Sequence, residues 1–190
     1  MMRRVLVAEA RSVAGTRQSQ ALRLAGRIPG VLYGVGEDGA RDSRLLTVCR
    51  KDLMREIRAH QTSVENTLYD LELNGETSRV LMRQIQMRAA SDYVVNVNFL
   101  RFSRGMVVQF PLKFVDEDSN VVLKRGGYLH REKHFVKCQV HTDDLPPVIS
   151  FSIGQAPKNH VFRLHDLVLP DGLTLKAKRL DAPIAVIKTF

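Results

Sequence analysis

GTRQSQALRLAGRIPGVLYG, residues 15–34, holds two kinds of structure in one short stretch. The first half is polar and basic. Thr16 is placed to cap a short helix running from Arg17 to Ala25, and Gly26 is placed to end it. Pro29 forbids the helix to continue. GVLYG then reads as a short buried strand, closed by the turn cluster GVGEDG at 34–39. A basic helical turn is therefore delivered beside a strand by a rigid loop.

The same alternation of strand and helix continues outward. RVLVAEA (4–10) and SRLLTVCR (43–50) have strand patterning. KDLMREIRAH (51–60) is an amphipathic helix with Leu53, Met54 and Ile57 on one side and Arg55 and Arg58 toward solvent. Residues 65–88 are two alternating runs around NGE, and Asn-Gly supplies the positive-φ turn of a hairpin. DYVVNVNFLRF (92–102) alternates again, with Val95, Val97 and Phe99 one way and Asn96, Asn98 and Leu100 the other. Several strands with two helices predict a small closed barrel over residues 1–104. FSRG (102–105) is the joint. Strand-like runs then dominate residues 105–190: 106–116, 121–140, 147–153, 173–179 and 182–190, with a turn at DEDSN. The expected fold is mainly β with short helices, a barrel followed by a β-rich C-terminal domain.

Composition narrows the function. With 44% hydrophobic residues the 190-residue chain can build a core, so it is not of the disordered class. A formal charge of +9 favours anionic partners: nucleic acid, an anionic membrane surface or an acidic protein. No apolar run approaches the ~20 residues of a membrane span, and no secretory segment is visible. Cys49 and Cys138 are too few and too far apart for a disulfide framework, and read as reduced thiols. The first 34 residues hold six arginines against one acid, Glu9, so the anion-binding surface is expected at that end.

Little points to an enzyme. His130 and His134 in HREKH stand four apart, as metal ligands on a helix can, but the flanks look like strands and no third ligand stands out. Asp143 and Asp144 precede LPP and read as a turn. Phosphate loops, dinucleotide fingerprints and nucleophile elbows are absent from the sequence. No catalytic residue, metal, cofactor or small-molecule substrate is expected, and no membrane partner. RNA binding reads better. On a helix Gln20, Arg23 and Arg27 lie along one stripe, with Ala21, Leu22 and Ala25 on a small apolar side. Arginine's planar fork suits phosphates and base edges. Tyr33 lies nearby. Ser19, Gln20, Asn96 and Asn98 suit the shallow RNA minor groove and its 2′-hydroxyls.

Residues 15–34 also resemble the signature of the bacterial large-subunit ribosomal protein number twenty-five family, which includes the general stress protein Ctc. Gly15, Ser19, Leu22, Arg23, Ala25, Gly26, Ile28, Pro29, Val31, Leu32, Tyr33 and Gly34 fall in register with it. VLMRQIQMRAASDYVVNVNFLRF (80–102) resembles the family's paired strands, and VFRLHDLVLPDGLTL (161–175) a passage of its C-terminal domain. The resemblance implies a six-stranded barrel with helices, then a β-rich domain, and a non-enzymatic role binding 5S rRNA on the large ribosomal subunit beside neighbouring ribosomal proteins. Its contacts map to Arg11, Ser19, Arg23, Tyr33, Arg83, Asn96 and Asn98. Gly15, Thr16, Arg17, Gln20 and Arg27 complete the candidate RNA-binding set. Thr16, Gln20 and Ala21 stand where the family has basic residues, and Asn96 and Asn98 where it has His and Asp. These departures imply weaker phosphate binding and altered readout, with another rRNA segment as an alternative target. MMRRVLVAEARS resembles a very short transit segment, so a mitochondrial ribosome is expected, with the bacterial cytoplasm as the alternative. A free RNA-binding stress factor, an anticodon-recognition barrel and a His-dependent metalloenzyme are the competing functions.

Overall fold

The computed structural model describes residues 4–36, 39–60, 63–88 and 93–189. The chain divides into two compact units, residues 1–103 and 104–190. In the first, the alternating runs become β1 (Val5–Ala10), β2 (Arg27–Val35), β3 (Arg41–Cys49), β4 (Leu68–Leu73), β5 (Glu76–Arg88) and β6 (Tyr93–Arg101), with helices α1 (Thr16–Leu24) and α2 (Arg50–His60). The strands close into a barrel in the order β1-β3-β2-β6-β5-β4, so the sheet has no open edge. Two junctions are parallel, β1 with β4 (Val5↔Asp70) and β2 with β6 (Gly30↔Val97). The others are antiparallel.

Inward positions fill the barrel with Leu6, Ile28, Leu32, Leu46, Val48, Tyr69, Leu71, Met82, Val97 and Phe99, all buried. Each contributes about 1.5–3 kcal/mol of apolar burial. Helix α2 adds Leu53, fully buried, with Met54 and Ile57 packed against the same core, as its periodicity predicts. Gly30 explains the glycine after Pro29. A Cβ there would lie 2.4 Å from the Val97 carbonyl oxygen, so β2 and β6 approach this closely only at glycine. The hairpin turn at Asn74 (φ 53°) and Gly75 (φ 87°) forms where Asn-Gly predicts it.

Several local expectations change. Thr16 does not cap α1: Gly15 is the N-cap, no side chain accepts there, and Thr16 is the first helical residue. Gly26 (φ 77°) does end the helix, and it releases Arg27 into β2, so Arg27 leaves the helical stripe of Gln20 and Arg23. In β6 the alternation slips. Val94 is buried and Val95 only half-buried, because pairing with β5 shifts between Gln86 and Met87. The expected turn at 34–39 includes residues 37 and 38, which lie outside the described ones.

The second unit contains β7 (Val107–Val115), α3 (Val121–Lys124), β8 (Tyr128–Arg131), β9 (Phe135–Val140), β10 (Ile149–Ser152), β11 (Val161–Arg163), β12 (Leu173–Leu175) and β13 (Pro183–Lys188). They form two sheets, β10-β7-β9-β12 and β11-β13-β8. VVLK, expected within a strand, is helical because Asn120 caps it. The fully buried Asn120 side chain accepts from the Val122 and Leu123 amides (2.9 and 3.1 Å) and donates to the Ile153 and Ala156 carbonyls (2.7 and 3.0 Å). The strand expected over 173–179 stops at Leu175.

Candidate nucleic-acid interface

The barrel's outer wall carries the candidate residues, because strand registers align them in rows. The Arg11 amide donates to the Leu45 carbonyl (3.0 Å). Leu45 pairs with Val31, Val31 with Asn98 and Asn98 with Arg83. One lateral row thus runs from Arg11, just past the end of β1, through Leu45, Val31, Asn98 and Arg83 across four strands. Arg11 is half-buried, and its Nε and Nη1 have no hydrogen-bond partner among the described residues.

Beside that row lies a polar chain. Asn96 Nδ2 donates to Asn98 Oδ1 (3.3 Å), and Asn98 Nδ2 donates to Gln84 Oε1 (2.7 Å). Gln84 reaches it from a bulge in β5, where its backbone takes the left-handed conformation (φ 47°). Asn96 Oδ1 and Gln84 Nε2 end the chain with no protein partner among the described residues, one an acceptor and one a donor. Arg83 is half-buried and 3.9 Å from Glu65. Tyr33 stands two positions along β2 from Val31, paired with Leu100, and is half-exposed.

Helix α1 joins this wall at its C-terminal end. Arg23 Nε donates to the Val95 carbonyl (2.9 Å), next to Asn96. The Arg23 carbonyl accepts from Tyr93 Oη (3.1 Å) and from Arg50 Nη2, and the Arg50 guanidinium lies over the Tyr93 ring at 4.3 Å. Arg23 is therefore half spent on anchoring the helix. Arg17 and Gln20 are exposed along α1, and Ser19 is half-buried. Arg27 is engaged within the barrel: its Nε donates to Thr47 (3.1 Å) and its Nη2 pairs with Glu9 (2.8 Å). Sequence reasoning missed Arg50, Tyr93 and Gln84. Nothing local marks them, since their roles come from a helix end and a strand that meet only in the closed barrel.

The histidines do not form a pair. His130 lies in β8, 3.2 Å from Glu132, and His134 follows the strand's end, so the two share no strand face. Among the described residues no group of three His, Cys, Asp or Glu could hold a metal ion, and no helix is long and apolar enough to cross a membrane. Cys49 and Cys138 are free thiols. Burial pushes the Cys138 thiol up to about 11.

A closed six-stranded barrel with arginine and amide side chains along its wall, followed in the chain by a second β-rich unit, defines the class as a two-unit β-barrel protein. Known proteins give that class a family. Residues 6–99 match the model of the Ribosomal L25p family, and residues 106–189 that of the ribosomal protein TL5 C-terminal domain. Large ribosomal subunit protein bL25 of Rhodopseudomonas palustris is 30% identical over 96% of this chain and 76% of its own length. The proteins of the same name from Rhizobium meliloti (30%, over 96% of this chain and 87% of the relative) and Methylocella silvestris (29%, over 97% and 79%) are similar. The chain belongs to the Ribosomal L25p family, in the two-unit form that carries the TL5 C-terminal domain. It is not an enzyme.

Proposed function

We propose that this protein is a structural constituent of the large ribosomal subunit and that residues 1–104 bind rRNA through the barrel wall and α1. Arg11, Arg83, Asn96 and Asn98 face the RNA from the wall, and Arg17, Ser19, Gln20 and Arg23 from the helix. Gly15 and Thr16 start that helix close to the backbone, and Tyr33 offers a half-exposed ring. The observation that supports this best is the register row that joins Arg11 through Leu45 and Val31 to Asn98 and Arg83, with the amide chain of Asn96, Asn98 and Gln84 beside it. We take 5S rRNA as the target, with another rRNA segment as the alternative, and neighbouring ribosomal proteins as the protein partners; the family resemblance supports this choice. The relatives named above are bacterial proteins, which favours a bacterial cytoplasmic ribosome over the mitochondrial one expected from the first residues.

The test is sedimentation of the protein with ribosomal subunits across a salt series. It should travel with the large subunit at low salt and leave at high salt, because counterion release makes phosphate binding salt-dependent. Recovery only in the soluble fraction at low salt would end this reading. Filter binding to 5S rRNA and to an unrelated rRNA hairpin then separates the target from its alternative.

A further inference from the structure

The second unit has a groove of about 520 Å³ that the barrel's role leaves unused. Five cations line it: Lys133, Lys137, Lys176, Lys178 and Arg179. No acid lines it, and among the described residues none of the five takes part in an ion pair. The neighbouring acid Asp181 is 3.4 Å from His165 instead. Lys176 donates its amide to the Lys137 carbonyl (2.9 Å), so two lysines stand side by side at the meeting of β9 and β12. Like charges placed so are destabilising until an anion lies between them. Between the cations the surface is apolar. Val136, Leu164 and Leu175 form the floor, and Phe135, 54% exposed, stands at the side.

We propose that this groove is a second RNA site, which takes a short unpaired stretch with its phosphates on the lysines and a base stacked on Phe135. A basic groove with an exposed aromatic is the arrangement that binds single strands with little sequence preference, since every base has a stacking face. Gln109 is the one neutral hydrogen-bonding side chain of the lining, too little to read base edges. An acidic peptide fits less well. Strand β12, at the sheet's edge, is only three residues long and offers little backbone for an added strand.

The chain has no tryptophan, so Phe135→Trp in the full-length protein gives a single reporter. A twelve-nucleotide oligouridylate should quench the introduced indole saturably, and a twelve-residue polyglutamate peptide should not. Removing the ring with Phe135→Ala should weaken a site-limited oligonucleotide by roughly 5- to 150-fold. Lys137→Gln with Lys176→Gln should lower the slope of log affinity against log salt by about 1.4, the value for two single-strand phosphates. Arg17→Ala on α1 should leave the quenching unchanged, which separates this site from the barrel's. Quenching by the peptide alone would make the groove a protein-docking surface. Quenching by neither probe, or quenching lost with Arg17→Ala, would overturn the proposal outright. Phe135 and the lysines at 137 and 176 are exposed, so these variants should keep the far-ultraviolet circular dichroism of the parent.

Discussion

The two units hold their positive charge in opposite ways. In the barrel, arginines are wired into the protein: Arg27 to Glu9 (2.8 Å), Arg44 to Asp42 and Glu76 (both 2.7 Å), Arg101 to Asp42 (3.4 Å) and Arg55 to Asp52 (3.2 Å). In the second unit Arg104 and Arg131 are paired, but among the described residues no lysine is. Guanidinium forks fit carboxylates at two points, whereas an ammonium is a hydrated point charge on a flexible stem. The N-terminal region holds the larger excess of cations in sequence, with many of its arginines fixed on carboxylates, whereas the second unit gathers five cations without ion pairs among the described residues in one groove.

The largest effect that would sharpen this contrast is on the barrel itself. Gly30→Ala drives a Cβ into the Val97 carbonyl and should cost about 3 kcal/mol. Amide exchange followed by mass spectrometry should then accelerate in barrel peptides and not in residues 104–190. Acceleration in both would mean that the units do not fold separately. Next comes Asn120→Ala, which strands two amides and two carbonyls and should cost about 2 kcal/mol, read as faster exchange around 121–124 and 153–156.

Smaller effects separate wiring from binding. Arg17→Ala should lower the salt slope of rRNA binding by about 0.7 to 0.9 with no loss of stability. Arg27→Ala should do the reverse, with a loss on the order of 1 kcal/mol and an unchanged slope. An equal change of slope in both would erase the distinction. The least effect is chemical. At pH 8 a thiol reagent should label half-exposed Cys49 and spare Cys138 in the folded protein. Because the folded Cys138 keeps its proton up to about pH 11 while an unfolded thiol releases it sooner, stability contributed by this residue falls as pH rises through that window.

Much of the barrel was legible because each strand states its own period. Leu53, Met54 and Ile57 announce α2's inner face, and Asn-Gly at 74–75 announces the hairpin. What stayed hidden depends on meetings between distant segments. Alternation in β6 places Val95 inward, but Val95 is the extra residue where Gln86 pairs with Asn96 and Met87 with Val94, and no local pattern carries that shift. VVLK reads as strand from its β-branched residues, yet the buried Asn120 cap outweighs that preference. Of the candidate residues, Arg11, Asn98 and Arg83 fall on one register row with Asn96 beside it, whereas Arg27, chosen for its charge, serves Glu9 and Thr47. It does not extend the stripe of Gln20 and Arg23, because Gly26 ends the helix where expected and Arg27 opens β2.

Strand β6 lies between β2 and β5 although it is the last of the six to be synthesised. Until residue 101 has left the peptide exit, β2 has no parallel neighbour, β5 is an open edge and the cylinder cannot seal. Pairings this far apart in sequence make for slow folding and a late closing step. Asn96 and Asn98 sit on that same final strand, so the wall proposed to meet RNA comes into being at the moment of closure. A chain ended before β6 would lack Asn96 and Asn98 and leave the rows on β2 and β5 unjoined.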